Sequence, residues 1–406
     1  MKSLYSAAAT ALLTSLIMAN AAWAENQAVP GVTDTEIKIG QSMPYSGAMS
    51  ATSVEGRIQT GYYKMINERG GVNGRKINLI SLDDGYSPPK TVEDTRRLVE
   101  SENVLAIVST IGTAPNSAIA KYLNAKKIPH ILIISGLDKW GSDPSLPWSM
   151  NIMSSYDTET RIFAKYILDH KPDAKIGILY QNDEIGKEQL AGLHAALGDK
   201  YDKMVVKEAS YDITDTSIDS QVVALQAAGA NVFLNGANGK FPALAFRKAY
   251  DIGWKPLSFL YSASNSIKNS IEPAGPGRAL GVITTVWLKT PSDPQWANDP
   301  AVKDYLAFMA KYVPGANPND FYSVLGYTTA QAAVLLFTES GKDLSRANLM
   351  KQATSLHGVA LPMMLPGVTL ENSPASRGPV KRFQLAKYDG SSWATFGGIV
   401  SAAQSR

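Results

Sequence analysis

Short apolar runs rich in β-branched residues alternate with longer amphipathic segments along most of the chain. Residues 36–40 predict a strand, and residues 54–69 predict a helix because apolar side chains recur there at helical spacing. The alternation continues with predicted strands at 76–82, 105–108 and 130–134 and predicted helices at 89–100 and 114–125. Strands that alternate with helices are typical of βαβ units around a parallel sheet.

The pattern begins again near residue 157 and predicts a second α/β lobe. A Pro-, Ser- and Asp-rich stretch, 142–155, is the predicted crossover into it. The fold class is therefore α/β, with two doubly wound parallel-sheet lobes. The predicted helices are 157–170, 186–197, 217–226, 241–250, 301–312, 323–339 and 346–355, and the predicted strands are 175–180, 204–208, 231–234, 258–261, 383–388 and 393–396.

The N-terminus has the features of a secretory signal peptide. A charged start at Lys2 precedes an apolar stretch over 7–18 and the small-x-small sequence Ala22-Trp23-Ala24. Cleavage is predicted after Ala24, with no nearby Cys for a lipid anchor; an uncleaved membrane anchor is the alternative. The remaining 25–406 are too long for one core and suit two domains, which we place in the periplasm.

Composition and motifs argue against several classes of function. The 39 basic and 36 acidic residues nearly balance, without a basic run interleaved with aromatics, so nucleic acid is not an expected partner. The complete absence of Cys excludes disulfides, thiolate metal sites and a Cys nucleophile. P-loop, G-x-S-x-G and H-E-x-x-H sequences are also missing. We therefore expect a protein that is not an enzyme and uses no cofactor or metal.

Several titratable residues have a structural interpretation that we prefer to a chemical one. The four histidines, His130, His170, His194 and His357, are scattered and are expected to be packed or at the surface. Asp183-Glu184 could form an acid/base pair, but acidic residues are also typical of a helix N-terminus. Asp83-Asp84 is expected in a turn rather than at a metal.

Polar loops follow several of the predicted strands. Because open parallel sheets bind ligands at the carboxyl ends of their strands, these loops are the candidate site. The loop 109–115 is the most informative: Gly112 permits close approach, and Thr113 and Pro115 suit the start of a helix whose free amides can hold a carboxylate. Plain helix capping by Thr113 is the alternative. The other loops are 41–47, 135–140, 180–186, 235–240 and 261–264.

In their order along the chain, several motifs resemble those of the substrate-binding proteins of branched-chain amino acid type ABC importers, the type I periplasmic binding proteins. They are Ile37-Lys38-Ile39-Gly40 with Tyr45-Ser46-Gly47, the segment 66–75, Tyr180-Gln181-Asn182-Asp183 with Gly186-Lys187, and Gly326-Tyr327-Thr328-Thr329-Ala330. The resemblance implies a clamshell with a three-strand hinge that closes on a ligand and docks to an inner-membrane permease, without catalysis. We expect a monomer with lobe I at 25–152 and 285–356 and lobe II at 153–284 and 357–401.

The resemblance also implies which loop residues contact the ligand. Thr110 and Thr113 lie where the family offers hydroxyls and helix amides to a carboxylate, and Leu137 where it offers a backbone group; Lys139 replaces a hydroxyl, and Ile185 an aromatic wall. The predicted ligand-binding residues are Tyr45, Met49, Thr110, Ile111, Gly112, Thr113, Ser135, Leu137, Lys139, Gln181, Asn182, Ile185, Asn238 and Tyr261.

One departure from the amino-acid binders bears on the ligand. The loop 261–264, where they carry an acid for the ligand ammonium, has none here, and a buried unpaired ammonium is costly. We therefore expect a small organic carboxylate without an α-amino group, such as an aromatic acid. Segments 138–140, 147–148, 272–275 and 361–367 resemble the aromatic-acid subgroup. An amino-acid ligand held by Asp138 or Glu184 is one alternative, and a ligand-presenting sensor for a membrane receptor is another.

Overall fold

The computed structural model of the protein describes residues 29–401, so the predicted signal peptide and its cleavage point lie outside the described residues. The first of its two sheets is wholly parallel, with the strand order β2-β1-β3-β4-β5. The order places β1 inside the sheet between β2 and β3. The strands are β1 (Glu36–Met43), β2 (Lys76–Asp83), β3 (Ile107–Val108), β4 (His130–Ile133) and β5 (Ser149–Asn151).

The second sheet has seven strands in the order β12-β11-β10-β9-β8-β6-β7. From β7 to β10 neighbouring strands are parallel, whereas β11 and β12 pair antiparallel at one edge. The strands are β6 (Ile176–Gln181), β7 (Val205–Tyr211), β8 (Val232–Gly236), β9 (Leu257–Leu260), β10 (Ile283–Val286), β11 (Arg382–Tyr388) and β12 (Trp393–Ser401).

Helices connect the strands of both sheets, and the predicted α/β fold class with two doubly wound lobes is confirmed. The helices are α1 (Val54–Glu68), α2 (Pro88–Arg96), α3 (Thr113–Ala125), α4 (Lys139–Ser142), α5 (Tyr156–His170), α6 (Glu184–Leu197), α7 (Tyr201–Met204), α8 (Asp219–Ala227), α9 (Phe241–Asp251), α10 (Pro300–Tyr312), α11 (Phe321–Glu339) and α12 (Arg346–Ala353).

The chain passes between the two sheets three times. It leaves the first sheet after β5, returns towards it after β10, and rejoins the second sheet at β11. After the second passage α10 and α11 pack on α1: the ring of Tyr62 lies 5.7 Å from that of Phe308 and 5.1 Å from that of Tyr327. The three crossings that the resemblance implies are therefore present.

The third passage, between α12 and β11, stays close to the first sheet. Arg377 Nε donates to the Ser149 carbonyl at 2.9 Å, and its Nη2 donates to the Asp143 carbonyl at 2.7 Å. The guanidinium thereby fastens this segment to the start of β5 and to the loop before it. The proposed lobe boundaries, at 152/153, 284/285 and 356/357, stay predictions. Among residues 29–401 no helix is long and apolar enough to cross a bilayer.

The motif Gly326-Tyr327-Thr328-Thr329-Ala330 falls at the contact between α11 and α1. A Cβ at Gly326 would lie 2.9 Å from the Glu55 carbonyl oxygen and 3.0 Å from its Cα. Because backbone atoms cannot retreat cheaply, only glycine lets the two helices approach this closely.

We expect Gly326→Ala to lower the free energy of unfolding by about 1–3 kcal/mol, because the added methyl overpacks this contact. Urea unfolding followed by circular dichroism measures the loss. Gly398→Ala is the matched control, since within the described chain nothing lies within 4 Å of a Cβ built there. Equal midpoints for the two variants would contradict the close helix contact.

Candidate ligand-binding cleft

The candidate site lies where the strand order of each sheet reverses. In the first sheet the chain starts at β1 and moves outward on both sides, to β2 and β3; in the second, β6 has the same position between β7 and β8. Ligands of doubly wound sheets bind in the crevice at this reversal. The loops that follow β1, β3, β6 and β8 hold most of the predicted ligand-binding residues, and the loop after β4 holds Ser135 and Leu137.

The N-terminus of α3 forms the first-lobe side of the site. Gly112 adopts φ +107 and is the N-cap, so the prediction that Thr113 caps the helix is wrong by one residue. A glycine fits there because this φ is strained for other residues. The hydroxyl of Thr113 instead lies 2.8 Å from that of Ser135, and both are nearly fully buried. The Thr113 amide, which faces the Tyr86 hydroxyl, and these two hydroxyls therefore lie together at the start of the helix.

Thr110 and Ile111 lie beneath this point. Thr110 is fully buried; its Oγ1 accepts from the Ser42 amide at 3.4 Å and its carbonyl from Asn116 Nδ2 at 2.9 Å. Ile111 is buried and forms a bridge to Ile134. These contacts fix the loop after β3 against its neighbours, so the start of α3 is held rigidly.

Gln181 and Asn238 come together on the second lobe around Tyr211, and Ile185 lies nearby in sequence in the first turn of α6. The Tyr211 hydroxyl donates to Gln181 Oε1 at 3.1 Å and accepts from the Asn238 amide at 2.9 Å. Asp183 caps α6 by accepting from the Ile185 amide at 2.8 Å, and its other oxygen accepts from Gln181 Nε2 at 2.6 Å. The interpretation of Asp183-Glu184 as a helix start is therefore confirmed.

Lys139 joins the lobes instead of standing free in the site. Its Nζ lies 2.6 Å from Glu184 Oε1 and 2.9 Å from Ser117 Oγ, which itself donates to Glu184 Oε2 at 2.6 Å. Burial acts to raise the pKa of Glu184, but its hydrogen bonds with Lys139 and Ser117 outweigh burial and lower it. Ser117 and Lys139 belong to the first lobe and Glu184 begins α6, so we call the three the interlobe bridge.

Glu188, one turn further along α6, makes a second contact between the lobes. Its two carboxyl oxygens accept from the Asp138 amide at 2.9 and 3.0 Å, and one also accepts from the Asp157 amide at 3.4 Å. Burial raises the pKa of Glu188 to about 8; the amides act against this shift, whereas the carboxylates of Asp138 and Asp157 add to it. The ionisation of Glu188 is thus sensitive to how closely the lobes approach.

Other predicted residues lie at the margin of the cleft or outside it. Met49 faces Gly239 of the other lobe, and both line a cavity of about 220 Å³ that reaches Tyr322. The buried Leu137 donates its amide to Ser135 Oγ at 3.5 Å.

Three predicted residues have partners inside their own lobe. The Tyr45 hydroxyl is 2.7 Å from Ser81 Oγ, and the Tyr261 hydroxyl is 2.7 Å from Thr160 Oγ1. Asn182 is exposed, and its Nδ2 donates to Asp212 at 3.3 Å. Whether any of the predicted residues contacts a ligand stays a prediction.

The sequence analysis missed the tyrosines that surround the start of α3. Tyr86 and Tyr156 both lie against Thr113, and Tyr86 also lies near Asp183 of the other lobe. Burial raises the pKa of both phenols, so they stay protonated hydrogen-bond donors at neutral pH. Tyr86 follows β2, and inspection of the loop after that strand, as after the others, would have found it.

His130, His170 and His194 have the structural roles that the sequence predicts. His130 is fully buried with Nε2 2.7 Å from Asn116 Oδ1, and burial lowers its pKa to about 3. His170 and His194 stack on tyrosines of their own lobe. Within the part of the chain that is described, no three His, Asp or Glu side chains are grouped to hold a metal ion.

Comparison with known proteins identifies the family. Residues 36–390 match the family of periplasmic binding proteins. The chain belongs to that family and, like its members, is a solute-binding protein rather than an enzyme. The resemblance predicted from the sequence motifs is confirmed, including the two-lobed type I fold.

Individual relatives share the fold at low sequence identity. A Leu/Ile/Val-binding protein homolog of Brucella abortus (strain 2308) is 24% identical over 323 residues, 75% of this chain and 77% of the relative. A Thermus thermophilus branched-chain amino acid ABC transporter structure with bound valine has TM-score 0.81 at 15% identity, covering 92% of this chain and 99% of that one. A solute-binding protein of an R. palustris ABC transporter, in complex with benzoate, has TM-score 0.73 at 19% identity, covering 90% and 98%.

We expect Glu188→Gln to raise the melting temperature relative to the native chain as pH increases. The folded protein keeps the Glu188 proton up to about pH 8, whereas the unfolded carboxyl loses it near its ordinary pKa of about 4.3. Stability from this group is thus fully present below the lower value and is lost as the pH rises through the higher one. Glutamine removes that loss, so the two melting temperatures should agree near the lower pH and diverge by a few degrees near the higher.

Differential scanning fluorimetry across this pH range measures the divergence. Glu93→Gln, at an exposed position on α2, is the control and should follow the native profile. A Glu188→Gln profile parallel to the native one at every pH would show that Glu188 is not held between the lobes.

Proposed function

We propose that this protein is the periplasmic component of an ABC importer that captures a small organic carboxylate, favoured to be an aromatic acid without an α-amino group, and delivers it to an inner-membrane permease. The observation that carries the proposal is the start of α3, where the helix N-terminus and the buried Thr113–Ser135 hydroxyl pair lie together. A carboxylate suits this position because it accepts from amides and hydroxyls and is favoured by the helix dipole.

The acids near the cleft support a ligand that lacks an ammonium group. Asp183 caps α6, Glu184 pairs with Lys139, and the loop 261–264 carries no acid. Ser262, in that loop, is itself bound to a buried carboxylate, that of Glu159, through its amide at 2.8 Å and its hydroxyl at 2.7 Å. A ligand ammonium at any of these carboxylates would break its pairing, which leaves a charge unpaired at a cost of several kcal/mol.

The solved relatives also favour a small carboxylate. The two solved relatives described above are named for valine and for benzoate, which are both small carboxylates.

An amino acid is the second candidate, and Glu55 is the observation that favours it. Glu55, in the first turn of α1, is fully buried, and burial raises its pKa well above the ordinary value. Its Oε1 accepts from Gln59 at 3.0 Å, but its Oε2 has no hydrogen-bond partner among residues 29–401. A ligand ammonium could supply that partner. In this case Glu55→Gln would abolish the binding of leucine.

Delivery to the permease requires a difference between the open and closed lobes. The interlobe bridge and Glu188 stabilise the closed state only when α6 meets the first lobe, so ligand binding is linked to closure. We place the mature chain, beginning at Glu25 after removal of the signal peptide, in the periplasm as a monomer.

A thermal-shift panel with residues 25–406 tests the proposal. Benzoate, hydroxybenzoate and cinnamate should raise the melting temperature, since a ligand that binds only the folded state stabilises it, whereas leucine and valine should not. A shift with leucine or valine alone would overturn the choice of an acid without an ammonium group, and the absence of any shift would overturn the carboxylate class.

For the acid that binds, we expect Thr113→Val to raise the dissociation constant about tenfold, because it removes one hydroxyl donor to a charged group, worth about 1.5 kcal/mol. Isothermal titration calorimetry measures the change. Thr338→Val, which removes an exposed hydroxyl at the far end of α11, is the control and should bind as the native protein does. An unchanged constant for Thr113→Val would place the carboxylate elsewhere.

A further inference from the structure

Tyr86 has a backbone conformation that is rare for an aromatic residue. The chain turns sharply after β2, and Tyr86 adopts φ +64, in the left-handed region that favours glycine. Gly85, directly before it, is also left-handed, with φ +57. Strained residues of this kind persist only where their surroundings impose the conformation, and they are often found at ligand sites.

Asp84 imposes this conformation. Its Oδ1 accepts from the Tyr86 amide at 2.8 Å. Its Oδ2 accepts from Ser42 Oγ at 2.7 Å and from Thr91 Oγ1 at 2.9 Å, and the whole residue is buried. The carboxylate thus ties the turn to β1 and to α2, so Tyr86 has little freedom to relax to an ordinary φ.

The strained turn directs the ring of Tyr86 over the start of α3. A Cβ at Gly112 would lie 2.4 Å from Tyr86 Cε2, so the ring packs directly on the glycine that caps the helix. The phenol hydroxyl faces the Thr113 amide, and Asp183 of the second lobe lies close enough to raise its pKa further, in addition to the larger effect of burial. Tyr86 therefore lies between the two lobes, at the buried start of α3.

We infer that Tyr86 is a specificity-determining residue whose hydroxyl donates to the ligand carboxylate beside Thr113. The inference rests on the proposed function, since it assumes that a carboxylate binds at α3. The phenol stays protonated at neutral pH and has a donor to offer, and its ring packs on Gly112, the residue that caps α3. Any anion at the Thr113 amide has to accept from the Tyr86 hydroxyl or displace it.

Calorimetric titration of Tyr86→Phe tests this role, using the carboxylate from the panel of aromatic acids, leucine and valine that binds the native chain best. Loss of one charge-assisted donor should raise the dissociation constant about tenfold or more, while the melting temperature without ligand stays the same. Tyr250→Phe, at an exposed phenol on α9, is the control. The double variant Tyr86→Phe with Thr113→Val should lose less than the product of the two single effects, because both hydroxyls serve one carboxylate.

Three results would overturn the role of Tyr86, and only the third would also overturn the proposed function. If Tyr86→Phe binds the carboxylate as the native protein does, Tyr86 is not a donor and the proposed function stands. If Tyr86→Phe binds more weakly only because its own melting temperature falls, the role is structural. If no carboxylate binds the native protein, the inference and the proposed function fail together.

Discussion

The carboxylate of Glu159 joins segments on which the two-lobed arrangement depends. Oε1 accepts from the hydroxyls of Ser154 and Ser262, and Oε2 accepts from the Ser262 amide and the Thr285 hydroxyl. Ser154 lies in the first passage between the sheets and Thr285 at the start of the second, whereas Ser262 follows β9. Burial opposes a charge on Glu159, and the four hydrogen bonds offset this effect only in part. The pKa of Glu159 is therefore raised, with burial as the largest cause.

This anchor lies on the side of the sheets that carries the cleft. Ser154 and Ser262 follow the carboxyl ends of β5 and β9, and the loops of the cleft follow the carboxyl ends of β1, β3, β6 and β8. The contacts that close the cleft are individually weak: the Lys139–Glu184 pair is partly exposed and contributes at most about 1 kcal/mol. We expect closure to depend on the ligand, whose carboxylate would add several charge-assisted hydrogen bonds in a dry site.

The sequence predicted most of the fold because periodicity reports burial directly. It missed β5 and β10: Ser149–Asn151 is only three residues long, and Ile283–Val286 places two threonines between its apolar ends, so neither shows a clear alternation. Side-chain contacts between segments that are distant in the sequence were harder to predict. Lys139 was expected at the ligand, but its partner Glu184 begins a helix of the other lobe, and no local pattern reveals that pairing. The position of Tyr86 over Gly112 was equally hard to predict, because it follows from the left-handed turn after β2.

Distance measurement in solution tests most directly whether a carboxylate at α3 draws α6 of the second lobe onto the first. The chain has no cysteine, so spin labels can be placed uniquely at Lys121→Cys on α3 and Lys187→Cys on α6, both exposed positions. Double electron–electron resonance without ligand should give a broad distribution with a long-distance component. Addition of the carboxylate that binds best should convert it to a single short distance. A distribution that saturating ligand leaves unchanged would contradict closure around the carboxylate.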